Sequence, residues 1–320
     1  MAATVILSVL ATIAATQLAA YPQPQSEAAP PASSASSALT PAEPCPLPAA
    51  LSPAQLRNLA RTTTRPTPLP ASTPAREPLR ALATSIVSDG CDARTGTYAH
   101  IHLRQWTADT STGRSHAEIN AILVEEQRWR ADDGSGRVIN TRYPAAGNPT
   151  SNQTHPPGGL PAAVAGPLAA DPGLFASQLN DIHPSAIIGP QAGLRAIVDI
   201  NGWHTPDRAV RAAALAVLSE TDGVEYHGPV TDRAGRAGVA VSVTSTDTAT
   251  RDLLILDAHT GRTLAYELTM LRDPGQLGIT APTIADYVLY IAHTRTSQPG
   301  DRRAPVTTGA EINHMRTPPS

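Results

Sequence analysis

At 320 residues with a formal net charge of −3 at pH 7, the chain has room for one large domain or two small ones and is no basic, nucleic-acid-binding surface. All of its basic charge is arginine; without lysine, Schiff-base chemistry and the Walker A phosphate loop are excluded. Pro, Ala, Ser and Thr crowd the N-terminal quarter, which leaves a folded part of about 220 residues.

Residues 2–20 form an uncharged apolar run, close to the length that spans a bilayer. The basic residues that a signal peptide or anchor wants beside it are missing before Arg57, and Leu18 is a poor fit before a cleavage site at Ala20. We expect a membrane anchor rather than a cleaved signal. Residues 21–76 read as a linker, because prolines from Pro22 to Pro48 forbid regular structure. A short helix interrupts it, with Ser52 as N-cap and Pro53 in the first turn. Residues 77–87 open the domain as a helix, with Leu79, Leu82, Ala83 and Ile86 at helical spacing.

The first strand is 97–107. The second, 115–130, places Ala117, Ile119, Ala121, Leu123 and Trp129 on one face and His116, Glu118, Asn120, Glu126, Arg128 and Arg130 on the other, the pattern of a half-buried strand. Residues 137–143 pair back on it, and 145–159 read as a mobile polar loop. Asp171 caps a short helix with Pro172 at its first position. Residues 190–200 are helical. Thr205-Pro206-Asp207 then opens the clearest helix, whose stripe is Val210, Ala213, Ala214, Val217 and Leu218. From 223 to 271 the alternation of Val239, Val241 and Val243, and of Leu264, Tyr266, Leu268 and Met270, predicts antiparallel strands with one buried face. A last strand is 285–296, followed by a disordered tail from 299.

One turn recurs between these strands. Asp109 to Arg114, Asp133 to Arg137, Asp232 to Arg236 and Asp257 to Arg262 each run from Asp through Gly to Arg. Asp bonds backbone N–H groups round the turn, Gly takes positive φ, and Arg resumes the strand in solvent. Calcium binding is the other reading of such loops, but the terminal Glu of an EF-hand loop is absent.

Three kinds of site were weighed. His100 and His102 stand two apart on a strand and share a face, so with His116 or Glu118 they could hold a metal; the plainer reading is a polar sheet face. Trp106, Trp129, Trp203 and Tyr266 are the large residues able to line an apolar cleft between sheet and helices, against ordinary core packing. Glu125, Glu126, Asp132 and Asp133 read as a solvated edge rather than paired catalytic carboxylates. The G-x-S-x-G elbow and the papain, kinase and zinc-protease signatures are all absent from the sequence. Cys45 and Cys91 lack metal-ligand spacing, which leaves a disulfide between linker and domain as the reading for an oxidising compartment. Asn152-Gln-Thr154 matches the glycosylation pattern, a match frequent by chance.

L-R-A-L-A at 79–83, R-W-R-A-D-D-G-S-G-R at 128–137, R-A-A-A-L-A-V-L at 211–218, G-P-V-T-D-R-A-G-R-A-G-V-A-V at 228–241 and I-L-D-A-H-T-G-R-T-L-A at 255–265 carry a resemblance. The chain resembles a family of uncharacterised actinobacterial membrane-anchored envelope proteins, with a cytoplasmic stretch, one span and an extracytoplasmic domain. In its order of elements, the domain is similar to the half-barrels of lipoprotein carriers and sigma-regulator sensors. The resemblance to the envelope family implies a signalling partner, although the basic cytoplasmic segment of that family's pattern is missing here.

The expectation is an α+β fold, a curved, half-barrel-like antiparallel sheet with helices on one face. The segments are 1–20 (anchor or signal), 21–76 (linker), 77–298 (extracytoplasmic domain) and 299–320 (tail). The expected role is a non-enzymatic binding or sensing module, without cofactor, for a lipid, an acyl chain or a membrane-protein partner. The alternatives are a structural protein without a pocket and a metal-dependent hydrolase at His100 and His102.

Overall fold

The computed structural model describes residues 65–88, 96–109, 120–143, 151–272 and 281–300, with side chains placed except at 108, 109, 120–122 and 143. All lie in Pro46–Ser320, one of two compact units; the other, Met1–Cys45, is outside the described residues. The apolar run 2–20, the helix at Ser52, Cys45, Cys91, His116, Glu118, the turn at 109–114 and the tail from 301 also fall outside them. Among the described residues no helix is long and apolar enough to cross a membrane.

Among the described residues, ten strands form one unclosed antiparallel sheet: β1 Thr73–Pro74, β2 Tyr98–Asp109, β3 Asn120–Arg130, β4 Gly136–Tyr143, β5 Ser151–His155, β6 Val224–Thr231, β7 Ala237–Ser245, β8 Thr250–Leu256, β9 Thr263–Met270 and β10 Thr283–Thr296. Their order is β1-β6-β7-β8-β9-β10-β2-β3-β4-β5. Two meanders, β2–β5 and β6–β10, are therefore joined at one seam, where β10 runs antiparallel to β2. The chain between them supplies α2 Pro172–Ile182, α3 Ser185–Ile188, α4 Ala192–Trp203 and α5 Arg208–Glu220, while α1 Arg76–Ser88 precedes β2.

The helices begin where the sequence places them. Asp171 Oδ1 accepts the Leu174 N–H at 2.9 Å, and Asp207 Oδ1 accepts the Val210 N–H at 2.7 Å. Such caps are worth about 1 kcal/mol each. The buried arc of α5 is wider than a single stripe, for Arg211, Leu215 and Ser219 are buried beside Val210, Ala213 and Leu218. The cause is that α5 packs on α1 and α2 as well as on the sheet.

The face of the sheet away from the helices is covered too. Leu69 packs on a core of Trp106, Leu123, Leu253, Ile255, Tyr287 and Leu289, and Ala234 of the β6–β7 turn lies in that same core. In a flat sheet β7 and β10 would stand ~14 Å apart. Arg236, where β7 begins, nonetheless donates to the Tyr290 carbonyl of β10 at 2.7 Å and to the Leu264 carbonyl of β9 at 2.8 Å. The sheet is bent, and its turn folds back over it.

Several expectations change accordingly. The strand β3 is buried on both faces, not half-buried: Glu126 and Arg128 are as enclosed as Leu123 and Trp129. The loop at 145–159 contains β5, whose Ser-Asn-Gln-Thr-His carries no apolar alternation and is ordered by pairing with β4. The end of the linker is built into the sheet, since Thr73 and Pro74 pair with Tyr226 and Glu225. Three of the Asp turns are as expected, with Asp133, Asp232 and Asp257 accepting backbone N–H groups. In the first of these the positive φ belongs to Gly134, and Gly136 starts β4.

Candidate functional site

The densest group of chemically able side chains lies on β2 and β3, on the face away from the helices. The register sets four rows there: His100 opposite Trp129, His102 opposite Gln127, Arg104 opposite Glu125, and Trp106 opposite Leu123. His100 and His102 share a face, as period two requires, and all four β2 side chains are buried. Glu125 bridges two rows. Its Oε1 lies 2.9 Å from His102 Nε2 and its Oε2 accepts from Arg104 at 2.6 Å. Burial alone would raise the Glu125 pKa, but the His102 hydrogen bond and the charges of His102 and Arg104 hold it below its ordinary value. His100 stacks on Trp129, ring centres 4.6 Å apart at 11°. Its pKa falls to about 4, through burial first and His102 beside it second, with Gln127 opposing. His100 is thus a neutral, stacked ring at neutral pH.

For metal binding this arrangement offers little. Among the described residues no three His, Cys, Asp or Glu side chains converge on an ion site. The carboxylate nearest the two imidazoles already accepts from a guanidinium, and His116 and Glu118, the third ligands considered, lie outside the described residues.

The acidic residues divide. Asp132 and Asp133 are exposed at their turn, but Glu125 and Glu126 are not a solvated edge. Glu126 accepts from Arg128, and Arg128 also donates to the Gly202 carbonyl and lies 3.4 Å over the Trp203 ring. Elsewhere the same solution recurs. Asp252 accepts from Arg195 at 2.8 and 3.1 Å and from the Tyr266 hydroxyl at 2.6 Å. Glu267 accepts from Arg233 at 2.7 Å and from both the Thr67 N–H and hydroxyl. Asp232 pairs with Arg236 at 2.6 Å, so that Arg, expected in solvent, is tied inward. Sequence reasoning missed all five pairs. The available signal was a chain whose every cation is a guanidinium, with charge on both parities of strand 120–130.

The four aromatic residues do not line one cleft. Trp106 and Trp129 lie on the face away from the helices, Trp106 stacked on Tyr287 with ring centres 5.8 Å apart. Tyr266 shares the opposite, helix-covered face with Leu254, and Trp203 closes α4 against Arg128. Between helices and sheet, a gap of about 20 Å³ is bounded by Phe175, Ile197, Val210, Leu215, Leu254 and Leu256. That is room for one water molecule. None of the four aromatics borders it.

No family model matches the chain, and neither does any curated protein. Among solved structures it is similar to the crystal structure of MucB in complex with MucA(peri), at a TM-score of 0.30 and 13% identity over 67% of this chain and 55% of that one. The complex structure of Pseudomonas aeruginosa MucA/MucB gives a TM-score of 0.30 and 15% identity, over 75% of this chain and 62% of that one. The chain thus spans 55% and 62% of the length of these two solved chains.

Proposed function

We propose that the chain is a non-enzymatic interaction or sensing module of the bacterial cell envelope, held outside the cytoplasm by residues 2–20 and engaging a protein partner on its surface. The observation that carries this reading is how little space the described residues leave between helices and sheet. The gap between helices and sheet is about 20 Å³, against the roughly 300–1,000 Å³ of a small-molecule site. His102 and Tyr266 are hydrogen-bonded to carboxylates, His100 is stacked on Trp129 and Trp106 on Tyr287. Large apolar side chains do remain outside, where Ile187 of α3 is 79% exposed and Leu174 of α2 is 65% exposed. The two stand on consecutive helices, and we take that stretch as the place where a partner protein would dock.

An enclosed lipid or acyl chain is the competing form of the reading. Native mass spectrometry of the segment 65–300, purified without the apolar run, separates the two. Surface recognition predicts the bare polypeptide mass. A stoichiometric lipid adduct surviving gentle activation would overturn it.

A further inference from the structure

Six carboxyl groups are buried among the described residues: Glu125, Glu126, Asp232, Asp252, Glu267 and Asp286. Five are met by arginines, namely Arg104, Arg128, Arg236, Arg195 and Arg233 in that order. Asp286 is the exception. It is 3% exposed, and its hydrogen-bonding neighbours are neutral: the Thr107 hydroxyl, which donates to Oδ1 at 2.9 Å, the Gln105 amide and the Tyr287 backbone N–H. The Gln105 amide stands behind that hydroxyl at 3.4 Å.

Its position matters as much as its lack of a cation. Asp286 pairs directly with Thr107 in the ladder between β10 and β2, the seam that joins the two meanders. Among the described residues, the groups that face it are not cations able to hold a carboxylate. From β9 comes Tyr266, and from β10 itself Tyr290 two turns of the pleat along; Tyr287, next in the chain, points to the opposite face. In the same cross-strand row, β8 offers Asp252, already closed on Arg195 of α4. Asp199 of α4 lies towards Tyr290. A charge on Asp286 would stand alone at the junction, where a proton makes the same group a good neighbour of Thr107.

We propose that Asp286 is a proton-dependent clasp on the seam between β10 and β2, closed when the carboxyl is protonated and loosened when it ionises. The protein is then a pH-responsive module, a property that does not depend on the identity of its partner. Burial pushes the Asp286 pKa up to about 7, with Thr107 and Gln105 opposing. A carboxyl whose folded pKa lies above its unfolded value of 3.8 is neutral in both states at low pH. Its penalty on the closed form grows as pH rises from about 4 towards 7 and is constant beyond.

The test is amide hydrogen exchange of the full chain from pH 5 to 8, comparing wild type with Asp286→Asn at each pH so that intrinsic rates and other titrating groups cancel. The opening constant of β2 and β3, wild type over variant, should rise about 80-fold between pH 5 and 8, from the two pKa values above. A ratio independent of pH would overturn the proposal. Should Asp286→Asn fail to fold, the wild-type ¹³C carboxyl spectrum decides. One aspartate titrating near pH 7, moved upward by Thr107→Val, supports the clasp; all aspartates titrating below pH 5 would refute it.

Discussion

Removing the Glu125 carboxylate strips two partners at once, because its oxygens serve His102 at 2.9 Å and Arg104 at 2.6 Å. Arg104 is fully buried, so it cannot turn to water when the carboxylate goes. Breaking a buried pair from one side costs about 3–5 kcal/mol, whereas replacing both charges with apolar side chains is often near neutral. Glu125→Leu alone should therefore destabilise by about 4 kcal/mol, and adding Arg104→Met should recover at least ~2 kcal/mol of that loss. Urea denaturation at pH 7.5 of wild type, both single variants and the double variant closes the cycle. The sign with pH also follows. Glu125 has its folded pKa depressed, so its contribution is complete above its ordinary value of 4.5 and is lost as pH falls through the folded pKa. Single variants within ~1 kcal/mol of wild type, or effects that simply add, would refute the claim that these rows are a closed charged core.

Two further outcomes follow from the geometry. Gly261 has φ +65°, and a Cβ there would stand 2.9 Å from Ile86 Cδ1, so Gly261→Ala should cost about 1–3 kcal/mol in the same assay; a change below ~0.5 kcal/mol would mean that α1 does not pack on the β8–β9 turn. His100, His204 and His293 have pKa values lowered by burial to about 4, about 4 and about 3. Each is neutral in the fold, so stability is complete above 6.5 and falls by roughly 2 kcal/mol per residue by pH 5, best read in the Asp286→Asn background. Stability level from pH 7.5 to 5 in that background would contradict their burial.

The local elements were legible because their signals are local. Asp171 and Asp207 cap their helices as read, and the alternation around Val241 and Tyr266 marks strands β7 and β9. What period two could not tell is how many faces are covered. Ala240 and Ser242 are as deeply buried as Val241 and Val243, because the chain near Leu69 and the turn at Ala234 lie over the second face. Leu69 arrives from far along the sequence, and Ala234 belongs to the turn that opens β7 and folds back over it. The seam between β10 and β2 is equally non-local, pairing Asp286 with Thr107 across 179 residues. The candidate site was half legible: the shared face of His100 and His102 follows from spacing alone, while the Glu125 and Arg104 pairing depends on register. Register also separates Trp106 from Tyr266, which composition had grouped.

The most direct test of surface recognition is site-specific photo-crosslinking of the full chain in cells that express it, with the probe at Ile187 or Leu174 and, as a control, at Val87 of α1. The account predicts a discrete protein adduct from α2 or α3. Adducts to lipid alone, or none from either position, would contradict it.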